Sequence, residues 1–305
     1  STSIFGGVSD NKITAIAGSE ATGKTFFALS ICNNFMKQNP KGGVVYFDTE
    51  GAITKELLEK RGMDPTGKQF LTIDCLTVED FRNVAYKILD KYNNQKEEDR
   101  QPMLLVLDSL GNLSTEKETK DIADGKTIRD MSKAQLVKGA FRVLTQKLSI
   151  AKVPLIVLNH TYDVIGSYMP TKEMGGGSGL KYAATTIIYL SKSQEKEGTE
   201  RVGNIIKAKV VKSRISKENE QIATRLYYDK RGLDKYYGLL ELAEKGGIWK
   251  KVSTRYEVDG KKLYGSEIQK NPEKYFTPEI LKQIDTVAKQ TFSYGNGEST
   301  TNDSE

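Results

Sequence analysis

A glycine-rich run that ends in a lysine and a threonine has the spacing of a phosphate-binding loop. The run is Gly18-Ser19-Glu20-Ala21-Thr22-Gly23-Lys24-Thr25, and it follows a β-rich segment and opens a helical pattern, the context in which this motif is specific. Backbone N–H groups in such a turn and at a helix N-terminus can surround phosphate oxygens. Lys24 would add charge at the β- and γ-phosphates, and Thr25 would bring its hydroxyl to Mg²⁺. The motif predicts a site for ATP and Mg²⁺ rather than a glycine-rich turn that binds nothing.

Two carboxylates follow apolar strand-like runs at positions that suit this chemistry. Asp108 ends the run Met103 to Asp108, where a carboxylate would hold the Mg²⁺ shell; the alternative is an acid that caps the next turn. Glu50 closes the run that starts at Val44, and it could orient and polarise the water that attacks the γ-phosphate. A surface acid is the alternative for Glu50, and a P-loop kinase would place a hydroxyl-bearing substrate there instead.

The single histidine, His160, follows Asn159 at the end of a predicted buried strand, directly before a long glycine-rich loop. Lone histidines are more often structural than functional. The position beside the loop makes His160 a candidate site residue.

The elements that must position these residues alternate between short β-rich runs and helical patterns, as in a mostly parallel central sheet flanked by helices. A helix is predicted from Val78 to Tyr92, with Thr77 and Asp80 as a capping box. Later β-rich runs are expected to extend the sheet, which gives an α/β fold. The predicted strands are Ile13 to Ala17, Gly43 to Asp48, Phe70 to Asp74, Met103 to Asp108, Pro154 to Asn159, Ala184 to Leu190, Ile205 to Val211 and Ile222 to Tyr228.

The pattern changes near residue 233, which divides the chain into a core of residues 1–233 and a small C-terminal appendage of residues 234–292. The appendage is expected to hold a helix from Tyr237 to Glu244, a hairpin that turns at Asp259-Gly260, and a helix from Pro278 to Lys289. Residues 293–305 have the composition of a disordered tail. The polar segment from Asn93 to Gln101 is interpreted as a solvated loop.

Composition excludes some classes of protein and leaves others open. Hydrophobic residues make up 37% and charged residues 28% of the 305 residues, as in ordinary globular proteins. The net charge of +6 permits an anionic partner without requiring one. The two cysteines form neither a disulfide framework nor a metal-ligand spacing, and no apolar run approaches the ~18 residues of a membrane span. Residence inside a cell is the expectation.

Two long segments, Gly111 to Thr127 and Thr161 to Gly179, directly follow strand ends, and loops of this length are usually functional or disordered. Their cations could neutralise DNA phosphates, and their aromatic or apolar side chains could stack on bases or wedge between them. For any one lysine, a solvated surface position is the alternative. The predicted DNA-binding side chains are Lys117, Lys120, Lys126, Arg129, Tyr162, Tyr168, Met169, Lys172 and Lys181.

Taken together, these residues resemble the core of the RecA-type recombinases. The runs Asp108 to Leu113, Lys117 to Thr119, Asn159 to Tyr162 and Met174 to Gly179 resemble the UvsX branch, found in T-even-like bacteriophages. The resemblance extends from the P-loop to about Leu242. It implies a RecA-like P-loop NTPase core and a DNA-dependent ATPase. Such an enzyme coats single-stranded DNA as a homo-oligomeric filament and pairs it with double-stranded DNA, with loader and single-strand-binding proteins as further partners and the host cytoplasm as location.

The resemblance also implies roles for individual residues. Glu50 takes the place of the catalytic glutamate, and His160 that of the polar residue, glutamine in RecA itself, that senses the γ-phosphate. The two long segments correspond to the two DNA-binding loops. Lys212 and Arg214 fall where the family places two cations that reach ATP across a filament interface, and strand spacing would put both on one face. The family's N-terminal docking segment is expected to be missing, because this chain begins just before the P-loop.

A RecA-fold ring ATPase, such as a replicative helicase motor, would use the same P-loop and glutamate. A helicase unwinds duplex DNA, whereas a recombinase coats single strands and pairs them. A non-catalytic DNA-binding relative is disfavoured, because Lys24, Thr25, Glu50 and Asp108 are all present.

Overall fold

A computed structural model describes residues 8–126, 132–163, 172–175, 177–214 and 216–292 of the chain. Among these residues, no helix has both the length and the apolar character needed to cross a membrane. The strands are β1 (Ile13–Gly18), β2 (Gly43–Asp48), β3 (Phe70–Asp74), β4 (Met103–Asp108), β5 (Leu155–Asp163), β6 (Lys172–Met174), β7 (Thr186–Glu197), β8 (Glu200–Lys212), β9 (Gln221–Tyr227), β10 (Leu233–Asp234), β11 (Lys250–Val252), β12 (Arg255–Val258) and β13 (Lys261–Tyr264). The α-helices are α1 (Lys24–Gln38), α2 (Lys55–Lys60), α3 (Val78–Asn93), α4 (Glu116–Ala123), α5 (Lys133–Ala151), α6 (Ser178–Ala183), α7 (Leu239–Lys245), α8 (Gly265–Lys270), α9 (Pro272–Tyr275) and α10 (Pro278–Phe292).

The described chain divides into two compact units, an N-terminal unit of residues 8–190 and a C-terminal unit of residues 191–292. The two units are distinguished by compactness alone. Compactness does not test a domain boundary, so the boundary predicted near residue 233 stays a prediction. The tail predicted for residues 293–305 lies outside the described residues.

The N-terminal unit is built on a parallel sheet in which the strand order is β7-β1-β5-β4-β2-β3. In the register of β1 with β5, Gly18 lies beside His160. In the register of β2 with β4, Asp48 lies beside Asp108. Parallel strands all end at the same edge of the sheet. Gly18, Asp48, Asp108 and His160 therefore lie at one edge.

Helices pack on this sheet because consecutive strand residues point to opposite faces. Tyr46 and Phe47 follow one another on β2, and neither has exposed surface. The Phe47 ring meets Phe81 of α3 edge to face, with centroids 5.0 Å apart, and Phe81 lies 6.3 Å from Phe141 of α5. Helices α3 and α5 therefore cover the Phe47 face. On the other face, Tyr46 lies near Cys32, a buried residue of α1.

Local sequence signals explain several element boundaries. Thr77 caps α3, and its side chain accepts a hydrogen bond from the backbone N–H of Asp80, which is the Thr77 half of the predicted capping box. Strands β2, β3 and β4 have the predicted bounds. Strand β5 is longer than predicted and continues to Asp163, because its last residues pair with β6 in antiparallel register. His160 therefore lies within a strand rather than at its end.

The first long segment is not a loop throughout, because α4 forms within it. Thr115 caps this helix by accepting a hydrogen bond from the N–H of Glu118, and acidic residues in the first turn favour the positive end of the helix dipole. The prediction of a loop was wrong here. The polar composition of the segment concealed a good N-cap and strong helix formers.

In the C-terminal unit, β8, β9 and β10 pair in antiparallel register, and β11 to β13 form a separate three-stranded sheet. The predicted turn at Asp259-Gly260 joins β12 to β13, with φ values of 49° and 72°, as a two-residue hairpin turn requires. The prediction that Lys212 and Arg214 share a strand face was wrong. Strand β8 ends at Lys212, where the side chain of Ser213 accepts a hydrogen bond from the N–H of Ser216 and turns the chain.

Two glycines in helices provide a matched test of packing in the N-terminal unit. A Cβ atom at Gly139 of α5 would meet no atom within 4 Å, whereas one at Gly179 of α6 would lie 2.9 Å from backbone atoms of Lys138. We expect Gly139→Ala to stabilise the protein by about 0.5–1 kcal/mol, since alanine loses less entropy in a helix. We expect Gly179→Ala to destabilise it by about 1–3 kcal/mol, since backbone must move. Denaturant unfolding measures both, and equal effects would contradict this packing.

Candidate functional site

The glycine-rich loop joins β1 to α1 in a backbone shape that needs small residues. Gly23 precedes the helix with φ 85°, a left-handed conformation that favours glycine. A Cβ atom at Gly18 would lie 2.8 Å from the carbonyl oxygen of Leu190 and 2.6 Å from Thr22 Oγ1. The Lys24 ammonium donates to the carbonyl oxygens of Gly18 at 3.1 Å and Ser19 at 3.0 Å. The lysine charge is thus held over the loop, beside the N-terminus of α1.

Asp108, at the end of β4, is a buried carboxylate of the site, with 6% of its surface exposed. Its Oδ2 atom accepts hydrogen bonds from Thr25 Oγ1 and from the Tyr46 hydroxyl, each at 2.7 Å. Burial raises the pKa of Asp108, those two hydrogen bonds lower it, and the nearby charges of Glu50 and Asp48 raise it further, so that the net shift is upward. Burial and the Asp108 charge also raise the pKa of Tyr46.

The donor set suits a hard cation that arrives with phosphate. Because Thr25 directs its proton to Asp108, the hydroxyl lone pairs point elsewhere. Hydroxyl and carboxylate oxygens are ligands that Mg²⁺ prefers, with phosphate oxygens and water completing its shell. Within the described ranges, no group of three or more histidine, cysteine, aspartate or glutamate side chains could hold a metal ion. Thr25 and Asp108 therefore fit Mg²⁺ bound with a nucleotide, rather than a cage made of protein ligands alone.

Glu50 is positioned by the turn that follows β2. The two carboxylate oxygens of Asp48 accept hydrogen bonds from the backbone N–H groups of Glu50 at 3.0 Å and Ile53 at 2.9 Å. Glu50 Oε1 then accepts hydrogen bonds from the Asn112 side-chain amide and from Ser109 Oγ at 3.3 Å. The side chain of Glu50 is 42% exposed, so solvent reaches the carboxylate.

The structure brings the predicted residue His160 to Glu50, with 3.7 Å between His160 Nε2 and Glu50 Oε1. His160 also fixes the base of the second long segment. Its carbonyl oxygen accepts a hydrogen bond from the N–H of Gly175 at 3.0 Å, and its own N–H donates to Asn159 Oδ1 at 2.9 Å. Asn159 Nδ2 donates to the Gly175 carbonyl oxygen at 2.8 Å. The histidine thus lies between Glu50 and the segment that was predicted to bind DNA.

Gly175 approaches the ring of Tyr162 closely at that base. A Cβ atom there would lie 2.7 Å from the ring of Tyr162, a side chain on β5 that is itself 59% exposed. Gly111, at the base of the first segment, faces the same cluster, since a Cβ atom there would lie 3.3 Å from both Asn159 Oδ1 and His160 Cδ2. The two predicted DNA-binding segments therefore begin side by side.

The predicted DNA-binding side chains that the structure describes are mostly exposed. Lys117, Lys120, Lys172 and Lys181 are exposed, and exposed Lys126 forms an ion pair with Asp124 at 3.1 Å. Arg129, Tyr168 and Met169 lie outside the described residues. Lys212 and Arg214 belong to the C-terminal unit, where Lys212 is partly buried and Arg214 is exposed.

Sequence reasoning assigned no role to several residues of the site, among them Tyr46, Asp48, Thr49, Ser109 and Asn112. Thr49 links the ends of β2 and β4, because its hydroxyl accepts a hydrogen bond from the N–H of Ser109 at 2.8 Å and its own N–H donates to the Asp108 carbonyl oxygen at 2.8 Å. The signal that could have found Tyr46 is a phenol in an otherwise apolar buried strand, which needs a partner. Thr49 directly follows a strand end and carries no motif, whereas Ser109 and Asn112 lie in the run Asp108 to Leu113, which carried the resemblance without a role for either residue.

Comparison with known proteins shows which family the chain matches. A family model described as the RecA N-terminal domain matches residues 2–234. The recombination and repair protein of Enterobacteria phage T4 is 32% identical over 240 residues, which cover 79% of this chain and 59% of that protein. Protein RecA of Arthrobacter sp. (strain FB24) is 28% identical over 299 residues, covering 95% of this chain and 79% of that protein. Protein RecA of Streptomyces rimosus is 27% identical over 293 residues, covering 95% and 74%.

The raised pKa of Asp108 predicts that its charge destabilises the protein without ligands. A raised carboxyl pKa contributes stability below the ordinary value, and that contribution is lost as pH rises through the folded value. We expect Asp108→Asn to raise the melting temperature at pH 8 in EDTA, with a difference that shrinks as the pH falls.

Asp64 supplies the control, because hydrogen bonds from Thr66 lower its pKa. A lowered carboxyl pKa contributes stability above the ordinary value, and that contribution is lost as the pH falls through the folded value. Asp64→Asn should therefore lower the melting temperature at pH 8, again with a difference that shrinks toward acid pH. An Asp108→Asn variant that melts below the parent at pH 8 would contradict the assignment.

Proposed function

The chain belongs to the family of the RecA N-terminal domain, and on that premise we propose that it is a DNA-dependent ATPase that assembles on single-stranded DNA and exchanges strands between homologous molecules. The family match confirms the RecA-type resemblance and the α/β fold that it implied. One observation carries the proposal further. The P-loop, Asp108 and Glu50 meet at a sheet edge from which two segments with exposed lysines begin.

ATP and Mg²⁺ are the proposed ligands of this edge. The backbone N–H groups between Gly18 and Thr25 would bind phosphate oxygens, and Lys24 would stabilise charge on the β- and γ-phosphates. Thr25 and Asp108 would hold Mg²⁺, which neutralises phosphate charge when bound. The hydrogen bond from Thr25 to Asp108 supports this pairing, because it places the two oxygen ligands next to each other.

Glu50 is the proposed residue that orients and deprotonates the attacking water. A carboxylate in this role must be reachable by water and held in place, and Glu50 meets both conditions through its exposure and through Ser109 and Asn112. The water proton would move to the Glu50 carboxylate as the water oxygen approaches the γ-phosphate.

His160 is the proposed link between the nucleotide and DNA. It lies beside Gly18 in the sheet, 3.7 Å from Glu50, and bonded through its backbone to Gly175. A shift of Glu50 or His160 on binding a γ-phosphate would therefore reach the second DNA-binding segment through the strand β5 itself. The exposed lysines of both segments and Tyr162 are the proposed DNA contacts.

Lys212 and Arg214 remain proposed cations that reach the γ-phosphate of a neighbouring subunit in a filament, where they would stabilise charge in the transition state. Their proposal is supported by the family relationship and not by a shared strand face.

Filament assembly also separates this function from that of a ring ATPase. Electron microscopy with single-stranded DNA and a non-hydrolysable ATP analogue should show filaments, and rings that unwind duplex DNA would overturn the proposal of strand exchange.

The nucleotide chemistry is tested by two variants that should fail differently. Lys24→Ala should weaken ATP binding, because it removes the charge beside the phosphates. Glu50→Gln should keep ATP binding and slow hydrolysis by about 10²-fold or more, in the range for loss of a general base. Equilibrium binding and steady-state phosphate release measure the two effects. Glu98→Gln, an exposed carboxylate in a surface turn, is the control and should change neither. Unchanged hydrolysis by Glu50→Gln would remove Glu50 from its role.

The coupling role is tested by His160→Ala and His160→Gln. The alanine variant should bind ATP normally yet bind single-stranded DNA with the same affinity in ATP and ADP, because the side chain that contacts Glu50 is gone. The glutamine variant should retain part of the gain in ATP, since an amide can still donate a hydrogen bond. Fluorescence anisotropy of labelled DNA measures this ratio at one salt concentration. If the alanine variant keeps the whole ATP-dependent gain of the parent, His160 does not couple the two sites.

A further inference from the structure

The phenol of Tyr46 lies in the middle of the apolar strand β2, and its side chain has no exposed surface. Its ring packs near Phe70, with centroids 5.6 Å apart. An apolar ring would satisfy that packing, so the hydroxyl needs a separate explanation. That hydroxyl donates to Asp108 Oδ2 at 2.7 Å.

The sheet register explains how the hydroxyl reaches the carboxylate. Tyr46 lies opposite Val106 on the neighbouring strand β4, and Asp108 is two residues further along β4. Residues two apart on a strand share a face, and a long side chain can reach such a diagonal neighbour. A phenylalanine at position 46 could occupy the same space but could not donate a hydrogen bond.

Two hydrogen bonds converge on one oxygen of the carboxylate. Thr25 Oγ1 donates to Asp108 Oδ2 at 2.7 Å, as the Tyr46 hydroxyl does. Together they fix the rotation of the carboxylate and leave Oδ1 as the oxygen that neither donor uses. The bond from Thr25 also directs the threonine proton to Asp108, so that the lone pairs of the threonine oxygen point away from Asp108.

We propose that Tyr46 is a positioning residue for the metal ion, which it serves by holding Asp108 and, through Asp108, the Thr25 hydroxyl in the arrangement that receives Mg²⁺. This inference rests on the proposed function, because the metal is expected to bind together with the nucleotide. Residues that hold a metal ligand in place typically change metal affinity by about 10–100-fold when they are lost. Because Tyr46 has no exposed surface, it would touch neither the metal nor the nucleotide, so its loss should act on the metal through Asp108.

The test separates metal binding from nucleotide binding. The dissociation constant of a fluorescent ATP analogue is measured for the full chain in saturating Mg²⁺ and in EDTA, and the ratio of the two values is the gain from the metal. Tyr46→Phe should reduce this gain by about 10-fold or more while leaving the affinity in EDTA unchanged. A general structural defect would weaken binding in both conditions, and that result would overturn the proposal.

Tyr256→Phe is the matched control. Its hydroxyl also donates to a carboxylate, Glu244 Oε2, at 3.1 Å, and Tyr256 is 6% exposed, but both residues belong to the C-terminal unit. The same atom is removed, and neither affinity should change. If the parent shows a gain from Mg²⁺ and Tyr46→Phe keeps all of it, this inference fails and the proposed function stands. If the parent shows no gain from Mg²⁺, both fail.

A second measurement avoids dependence on folding of the variant. Fluorine placed on the ring of Tyr46 in an otherwise unchanged chain gives a single resonance that reports on the phenol. That resonance should move when Mg²⁺ is added to the nucleotide complex, because the carboxylate that accepts the hydrogen bond changes its partners. A resonance that is the same in EDTA and in Mg²⁺ would overturn the proposal.

Discussion

The parallel register of the central strands is the constraint on which the site depends. The pairing of β1 with β5 brings Gly18 beside His160, and the pairing of β2 with β4 brings Asp48 beside Asp108. A slip of one residue in either pair would turn the side chains of that strand to the other face of the sheet. The buried rings of Tyr46 and Phe47, which face opposite layers, oppose such a slip, because it would carry each ring into the wrong layer.

That register also concentrates negative charge, which the fold must offset. Asp48, Glu50 and Asp108 lie at one edge, and the first and third are buried. Each has its own hydrogen-bond donors: backbone N–H groups for Asp48, hydroxyl groups for Asp108, and side chains from the β4 end for Glu50. At Asp108 the hydrogen bonds do not fully compensate for burial and charge repulsion, so its pKa stays raised. A site that keeps some unfavourable charge is prepared to bind a cation, since a cation relieves the burial and the repulsion together.

Much of this arrangement could be predicted from the sequence, and there are physical reasons why the rest could not. The P-loop, Glu50 and Asp108 could be predicted because each follows a strand whose apolar run marks its end. Helix α4 could not be predicted from hydrophobic periodicity, since its residues are almost all polar and its signal is a cap at Thr115. The bend after Lys212 depends on a hydrogen bond between Ser213 and Ser216, which strand propensity does not show. The contacts of Tyr46 and Asn112 join residues about sixty positions apart, so only the register of the sheet reveals them.

Residues at the bases of the two long segments both approach one atom, the Oε1 oxygen of Glu50. Asn112, which donates to it, belongs to the first segment, and His160, which approaches it, lies at the base of the second. Both contacts use the same atom, so a change at one segment alters the electrostatic surroundings of the carboxylate that the other also contacts. The hydrogen bonds from Asn112 and Ser109 hold the Glu50 carboxylate in one direction, so these contacts set the orientation in which it meets water. A displacement of either segment would turn that carboxylate, so one atom links the position of both segments to the position of the carboxylate without any direct contact between the segments.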